Sequence, residues 1–77
     1  MNLKIWNLEK EIFSGDVKNL TVRAIDGFVQ ILPGHTNYIN KLASGTVSFT
    51  DLQDKKSEIQ VSGGLLKVEK DLAQLFV

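Results

Sequence analysis

The chain has 77 residues, with nine basic and nine acidic side chains, one histidine and no cysteine. Such a length sets one domain over residues 1–77, close to the size at which a core usually needs a staple, yet the absent cysteines exclude a disulfide framework and any thiolate metal site. Zero formal net charge with both signs interspersed argues against a nucleic-acid partner, because phosphate binding rests on concentrated Lys and Arg. A zinc ion would have to find three oxygen ligands beside His35, so neither a metal nor another cofactor is expected.

The opening Asn2-Leu3-Lys4-Ile5-Trp6 alternates polar and apolar residues, which predicts a strand with Leu3 and Ile5 on its covered face. Trp6 then falls on the opposite face with Lys4 and Leu8, where either a second sheet or a partner covers it. Ser14-Gly15-Asp16 reads as a turn. A second strand is predicted from Val17 to Ile25, where Leu20, Val22 and Ala24 alternate with Asn19, Thr21 and Arg23. Asp26-Gly27 is expected to close it, and the mostly apolar Phe28–Leu32 to form a third strand covered on both faces.

Pro33-Gly34 fits the central positions of a type II turn: proline presets φ near −65°, and glycine takes positive φ without a steric penalty. His35 leaves that turn from a fixed place. Tyr38–Leu42 and Thr46–Thr50 are predicted strands, the second with Val47 and Phe49 inward. A polar hairpin loop over Asp51–Lys56 then leads to a strand over Ser57–Ser62 with Ile59 and Val61 on the core face. Gly63-Gly64 marks a bulge or a close backbone approach. Leu65–Glu69 and Leu72–Val77, joined at Lys70-Asp71, complete an all-β chain. The fold class is a two-layer β-sandwich or flattened barrel of about eight to ten short strands.

Catalytic chemistry is not expected. His35 is the sole candidate base, and Ser14, Ser44, Ser48, Ser57 and Ser62 lie in ordinary strand or turn contexts. Glu9 with Glu11, or Asp51 with Asp54, reads as solvated turn chemistry and not as an acid/base pair. Neither glycine-rich phosphate-binding motif is present. No apolar run approaches the roughly 20 residues of a membrane-spanning helix. The start also lacks the continuous apolar centre of a signal peptide, so the expected place is the cytosol or a surface on its side.

Asp26-Gly27-Phe28-Val29-Gln30-Ile31-Leu32-Pro33-Gly34-His35, followed by Val61-Ser62-Gly63-Gly64-Leu65-Leu66-Lys67-Val68, resembles the amino-terminal β-sandwich of the epsilon subunit of F-type ATP synthases. There the two motifs read approximately EGxFGILPGHxPLI and SGGxxEV. The resemblance covers essentially the whole chain and implies a non-catalytic rotor part of the central stalk. Its partners would be the gamma subunit and the c-ring, and it would help couple proton or sodium passage to ATP synthesis. Membrane contact would come only through the complex, peripheral to the cytoplasmic face of the plasma (inner) membrane. Carried over by position, Asp26, Gly27 and Phe28 form the c-ring-facing loop, Asn7, His35 and Asn40 face gamma, and Pro33, Gly34, Gly63 and Gly64 are structural turns.

Phe28 replaces a common family glutamate, Gln30 a glycine, and Lys67 another glutamate. Asn37-Tyr38 stands where small residues or proline and then leucine are usual. Most members continue into a carboxy-terminal helical pair that inhibits ATP hydrolysis and in some cases binds ATP. Nothing after Val77 forms that pair, so neither helical autoinhibition nor that ATP site is expected. One rival reading is a lipoyl or biotinyl carrier domain modified at Lys55 or Lys56 in the polar hairpin; another is a module that binds a peptide at an open sheet edge.

Overall fold

The alternation at the start becomes strand β1 (Asn2–Trp6), with Leu3 and Ile5 fully buried and their neighbours facing outward. It is the first of eight strands in a computed structural model that describes residues 1–77. The others are β2 (Glu11–Ala24), β3 (Gly27–Ile31), β4 (Tyr38–Leu42), β5 (Gly45–Asp51), β6 (Lys56–Val61), β7 (Gly64–Glu69) and β8 (Leu72–Phe76).

Two layers follow from the pairing. One runs β4, β7, β8, β1 and then the first half of β2; the other runs β3, the second half of β2, β5 and β6. Strand β2 therefore belongs to both, and its register slips between Val17 and Asn19 where it leaves one layer for the other. The link between β1 and β8 is parallel, whereas every other pairing is antiparallel. A bridge from Ala24 to Leu42 closes the sandwich into a flattened barrel.

Between the layers lie Leu3, Ile5, Leu66, Val68, Ala73 and Leu75 from one side, and Leu20, Val22, Ile31, Val47 and Phe49 from the other. Each large side chain so buried contributes about 1.5–3 kcal/mol. The rings of Phe13 and Phe49 meet at 4.5 Å between centroids, joining the first half of β2 to β5.

Three expectations are corrected. Ser14-Gly15-Asp16 is not a turn but the middle of the 14-residue β2, paired to Lys4, Leu3 and Asn2. Glycine serves there by leaving room: a Cβ on Gly15 would meet the Phe13 ring at 3.2 Å. The turn between β2 and β3 consists of Ile25 and Asp26, while Gly27, at φ +133°, already pairs with Ala24. Strand β3 is covered on one face only: Ile31 is buried, but Phe28 and Gln30 are exposed because no second sheet lies over the outward face of their layer.

Pro33-Gly34 forms a turn, whereas Gly64 is not one: it begins β7 and pairs with Leu42. His35 donates its backbone N–H to Leu32 O at 3.1 Å across Pro33-Gly34, with Gly34 at φ +83°, as a type II turn requires. Gly64 is a close approach, since a Cβ there would sit 2.2 Å from the Phe76 carbonyl oxygen.

Candidate docking surfaces

The turn before β4 is held from several sides. Gly34 donates its N–H to the Asp71 carboxylate at 3.3 Å, and that carboxylate also lies 3.7 Å from the amino-terminal ammonium. Asp71 thereby ties the His35 turn to the β7–β8 turn and to the start of the chain. Nδ1 of His35 lies 2.7 Å from the Thr36 carbonyl oxygen; a carbonyl only accepts, so this nitrogen carries the proton. The ring stands edge-on to Tyr38, with centroids 5.8 Å apart, and is half-buried. His35 is thus a fixed feature of the surface and not a freely rotating side chain.

At the other end of β3, the Ile25-Asp26 turn projects from the molecule. Ile25 is 63% exposed and Phe28 75%, and the Arg23 guanidinium lies 5.8 Å from the Phe28 ring centroid. Phe28 projects because it pairs with Arg23 on the outward face of the layer, where no second sheet covers it. Asp26 itself accepts a hydrogen bond from Asn40 Nδ2 at 3.0 Å.

The residues expected to face gamma do not form one cluster. Asn40 and His35 are linked through Tyr38, whose hydroxyl accepts from Asn40 at 2.9 Å. Asn7 lies apart, in the loop after β1, where its Oδ1 accepts from the backbone N–H of Glu9 at 2.8 Å and of Lys10 at 2.9 Å. From the end of β1 to β4 the layer crosses β8 and β7, about 14 Å at ordinary strand spacing. Asn7 shapes its own loop, and Asn40 bridges to the expected ring-facing turn.

Sequence reasoning missed two features. Asp71 joins three segments, but nothing near it in the chain points to Gly34. An apolar corner also forms where Trp6 stacks on Phe76, with centroids 5.1 Å apart and planes 18° from parallel, beside the fully exposed Leu8 and the half-buried Val77. The alternation placed Trp6 outward; its pairing with Phe76 depends on the parallel β1–β8 contact, which the sequence does not announce. A shallow polar hollow of about 470 Å³ lies on the outer face of the other layer, lined by Asn19, Thr21, Gln30 and Ser48 among others.

The family model described as ATP synthase, Delta/Epsilon chain, beta-sandwich domain matches residues 1–77. The chain belongs to that family. Relatives of this delta/epsilon-type sandwich include the ATP synthase epsilon chains of Clostridium botulinum strains Hall and Langeland, each 38% identical over 69 residues. The matched segment takes up 90% of the chain and 52% of each relative, so it spans about half the length of these curated proteins.

Among solved structures, the sandwich is similar to a chain in the cryo-EM structure of the Euglena gracilis mitochondrial ATP synthase, at TM-score 0.92 and 23% identity. That match covers 97% of the sandwich and 48% of the Euglena chain. It is also similar to a chain in the central stalk and c-ring structure of the Tetrahymena thermophila mitochondrial ATP synthase, at TM-score 0.84 and 13% identity, covering 100% and 62%. At these identities the likeness shows a shared fold. The lysines of the carrier reading are placed differently from one another: Lys56 begins β6 opposite Thr50, while Lys55 stays in the hairpin and donates its N–H to the Asp51 carboxylate at 2.9 Å.

Proposed function

We propose that this domain is a non-catalytic part of the central stalk of an F-type ATP synthase, docking on the gamma subunit and the c-ring. The observation that carries the reading is the family match along the entire chain. The epsilon-chain relatives, at 38% identity, support it. In this role the sandwich works by stiffness and surface shape, helping to couple ion passage through a membrane-bound complex to ATP synthesis. A barrel closed by backbone ladders deforms little, and its register is fixed because a slip of one residue would turn the core face outward.

Asp26, Gly27 and Phe28 would face the c-ring, with the exposed Phe28 ring and Ile25 supplying an apolar contact where the family more often uses a carboxylate. His35 would face gamma from its braced turn, with Asn7 on a separate part of that side. The deciding experiment mixes the protein with a gamma subunit from the same cell and measures complex formation by light scattering after size exclusion. A stable one-to-one complex is expected. Failure to bind gamma, with the chain folded, overturns the docking role.

A further inference from the structure

Strand β4 and the end of β2 approach each other along a short antiparallel ladder. Ala43 donates its N–H to Arg23 O at 2.8 Å, Leu42 pairs with Ala24, and Ile25 donates its N–H to Lys41 O at 3.1 Å. Each step back along β4 meets a step forward along β2. The next rung would join residue 40 to residue 26, and there the backbone of the turn swings away into β3. A side-chain bond takes its place: Asn40 Nδ2 donates to Asp26 Oδ1 at 3.0 Å.

Asn40 is fully engaged in making that rung. Its second amide hydrogen reaches the Tyr38 hydroxyl at 2.9 Å, and its Oδ1 accepts from the backbone N–H of Lys41 at 2.8 Å. The orientation of the amide is settled by its neighbours, since a carboxylate only accepts and a backbone N–H only donates. Tyr38 in turn meets the His35 ring edge-on, with centroids 5.8 Å apart. A continuous polar and aromatic link therefore runs from the His35 turn through Tyr38 and Asn40 to Asp26.

We propose that Asn40 is a positioning residue: it pins the Ile25-Asp26 turn, and with it Gly27 and Phe28 at the start of β3, against β4, and so fixes that turn relative to the His35 turn. Beyond the rung only the backbone bond from Ile25 N–H to Lys41 O joins the turn to β4, and the turn carries exposed Ile25 and Phe28 on a single edge hairpin. A projecting hairpin with one side-chain anchor swings when the anchor is lost. The consequence for ring docking rests on the function proposed above; the pinning itself does not.

The test exchanges the two groups. Asn40→Asp sets two carboxylates against each other and breaks the rung, whereas Asn40→Asp combined with Asp26→Asn restores one donor and one acceptor in the reversed sense. Amide hydrogen exchange on the 77-residue chain is expected to quicken about tenfold at Ile25, whose N–H is held by Lys41 O, and at Gly27, which pairs with Ala24, in the single variant, with β7 and β8 unchanged, and to return toward the original rate in the swapped pair. Asn40→Ala, which adds no charge, should quicken the same amides. Binding to the assembled c-ring and gamma should weaken about five- to tenfold in the single variant and recover in the swap. Exchange unchanged by Asn40→Ala, or a swap that restores nothing, overturns the pinning. Exchange that follows the rung in a wild-type chain that binds no ring keeps the pinning and removes the docking role.

Discussion

Gly63 and Gly64 are neighbours with nearly the same backbone, at φ +143° and +141°, yet an added methyl group meets very different surroundings. On Gly63 a Cβ would lie 3.5 Å from Leu42 O, an ordinary contact; on Gly64 it would lie 2.2 Å from Phe76 O and 3.1 Å from its carbonyl carbon. Gly63→Ala therefore carries only the conformational penalty of a side chain at positive φ, about 1–2 kcal/mol. Gly64→Ala carries that penalty and must also drive the β7 and β8 backbones apart by about 1 Å, breaking their last rung, for at least about 3–4 kcal/mol in total. A domain of this length has about 4–12 kcal/mol of stability. Thermal unfolding should fall by about 4–16 °C for Gly63→Ala and by at least about 12 °C for Gly64→Ala, which is partly unfolded at room temperature if the starting stability is at the low end. Equal losses in urea melts of the two variants would refute the steric argument, because their backbone penalties match.

Phe49→Ala should cost about 3–5 kcal/mol by opening a cavity against Phe13, and an unchanged urea midpoint would contradict the packing described. Phe28→Asp should leave the isolated fold within about 0.5 kcal/mol, since the ring is exposed, while weakening seating on the c-ring; unaffected assembly and coupling would remove that loop from the interface. Phe76→Ala should shift the fluorescence of Trp6, the sole tryptophan, toward longer wavelengths by uncovering its stacked face, at a cost of about 0.5–1.5 kcal/mol beyond the lost area; unchanged emission would show that the stack does not form in solution.

Strands with one wet face were legible because burial imposes a period of two: Leu3 and Ile5, Leu20 and Val22, and Val47 and Phe49 all point inward as their spacing implied. Glycine positions were legible where the backbone needs positive φ, as at Gly34 and Gly64. The same residue misled at Gly15, whose small size serves the Phe13 ring and whose neighbours continue a strand through apparent turn chemistry. The tight turn at Lys70-Asp71 was read correctly, although both residues take positive φ, at 50° and 61°, without a glycine. Strand β3 misled because the apolar run Phe28–Leu32 suggested two covers, whereas Phe28 in the strand and Leu32 just beyond its end remain open to solvent.

The candidate site was legible only in part, because motif residues near in sequence need not share a surface. Asp26 and Asn40, assigned by resemblance to different partners, share a hydrogen bond, while Asn7, assigned with Asn40, sits three strands away in the sheet order. No local pattern encodes the rung between β2 and β4, since it depends on which strands the closed barrel sets side by side. Its strength is also set by that closure. A single hydrogen bond at a partly exposed site contributes about 1 kcal/mol, yet here it continues a backbone ladder already in register, so little additional entropy is lost in forming it. A modest contact placed at the end of an ordered ladder can therefore fix a projecting loop more firmly than a stronger contact between two mobile chains.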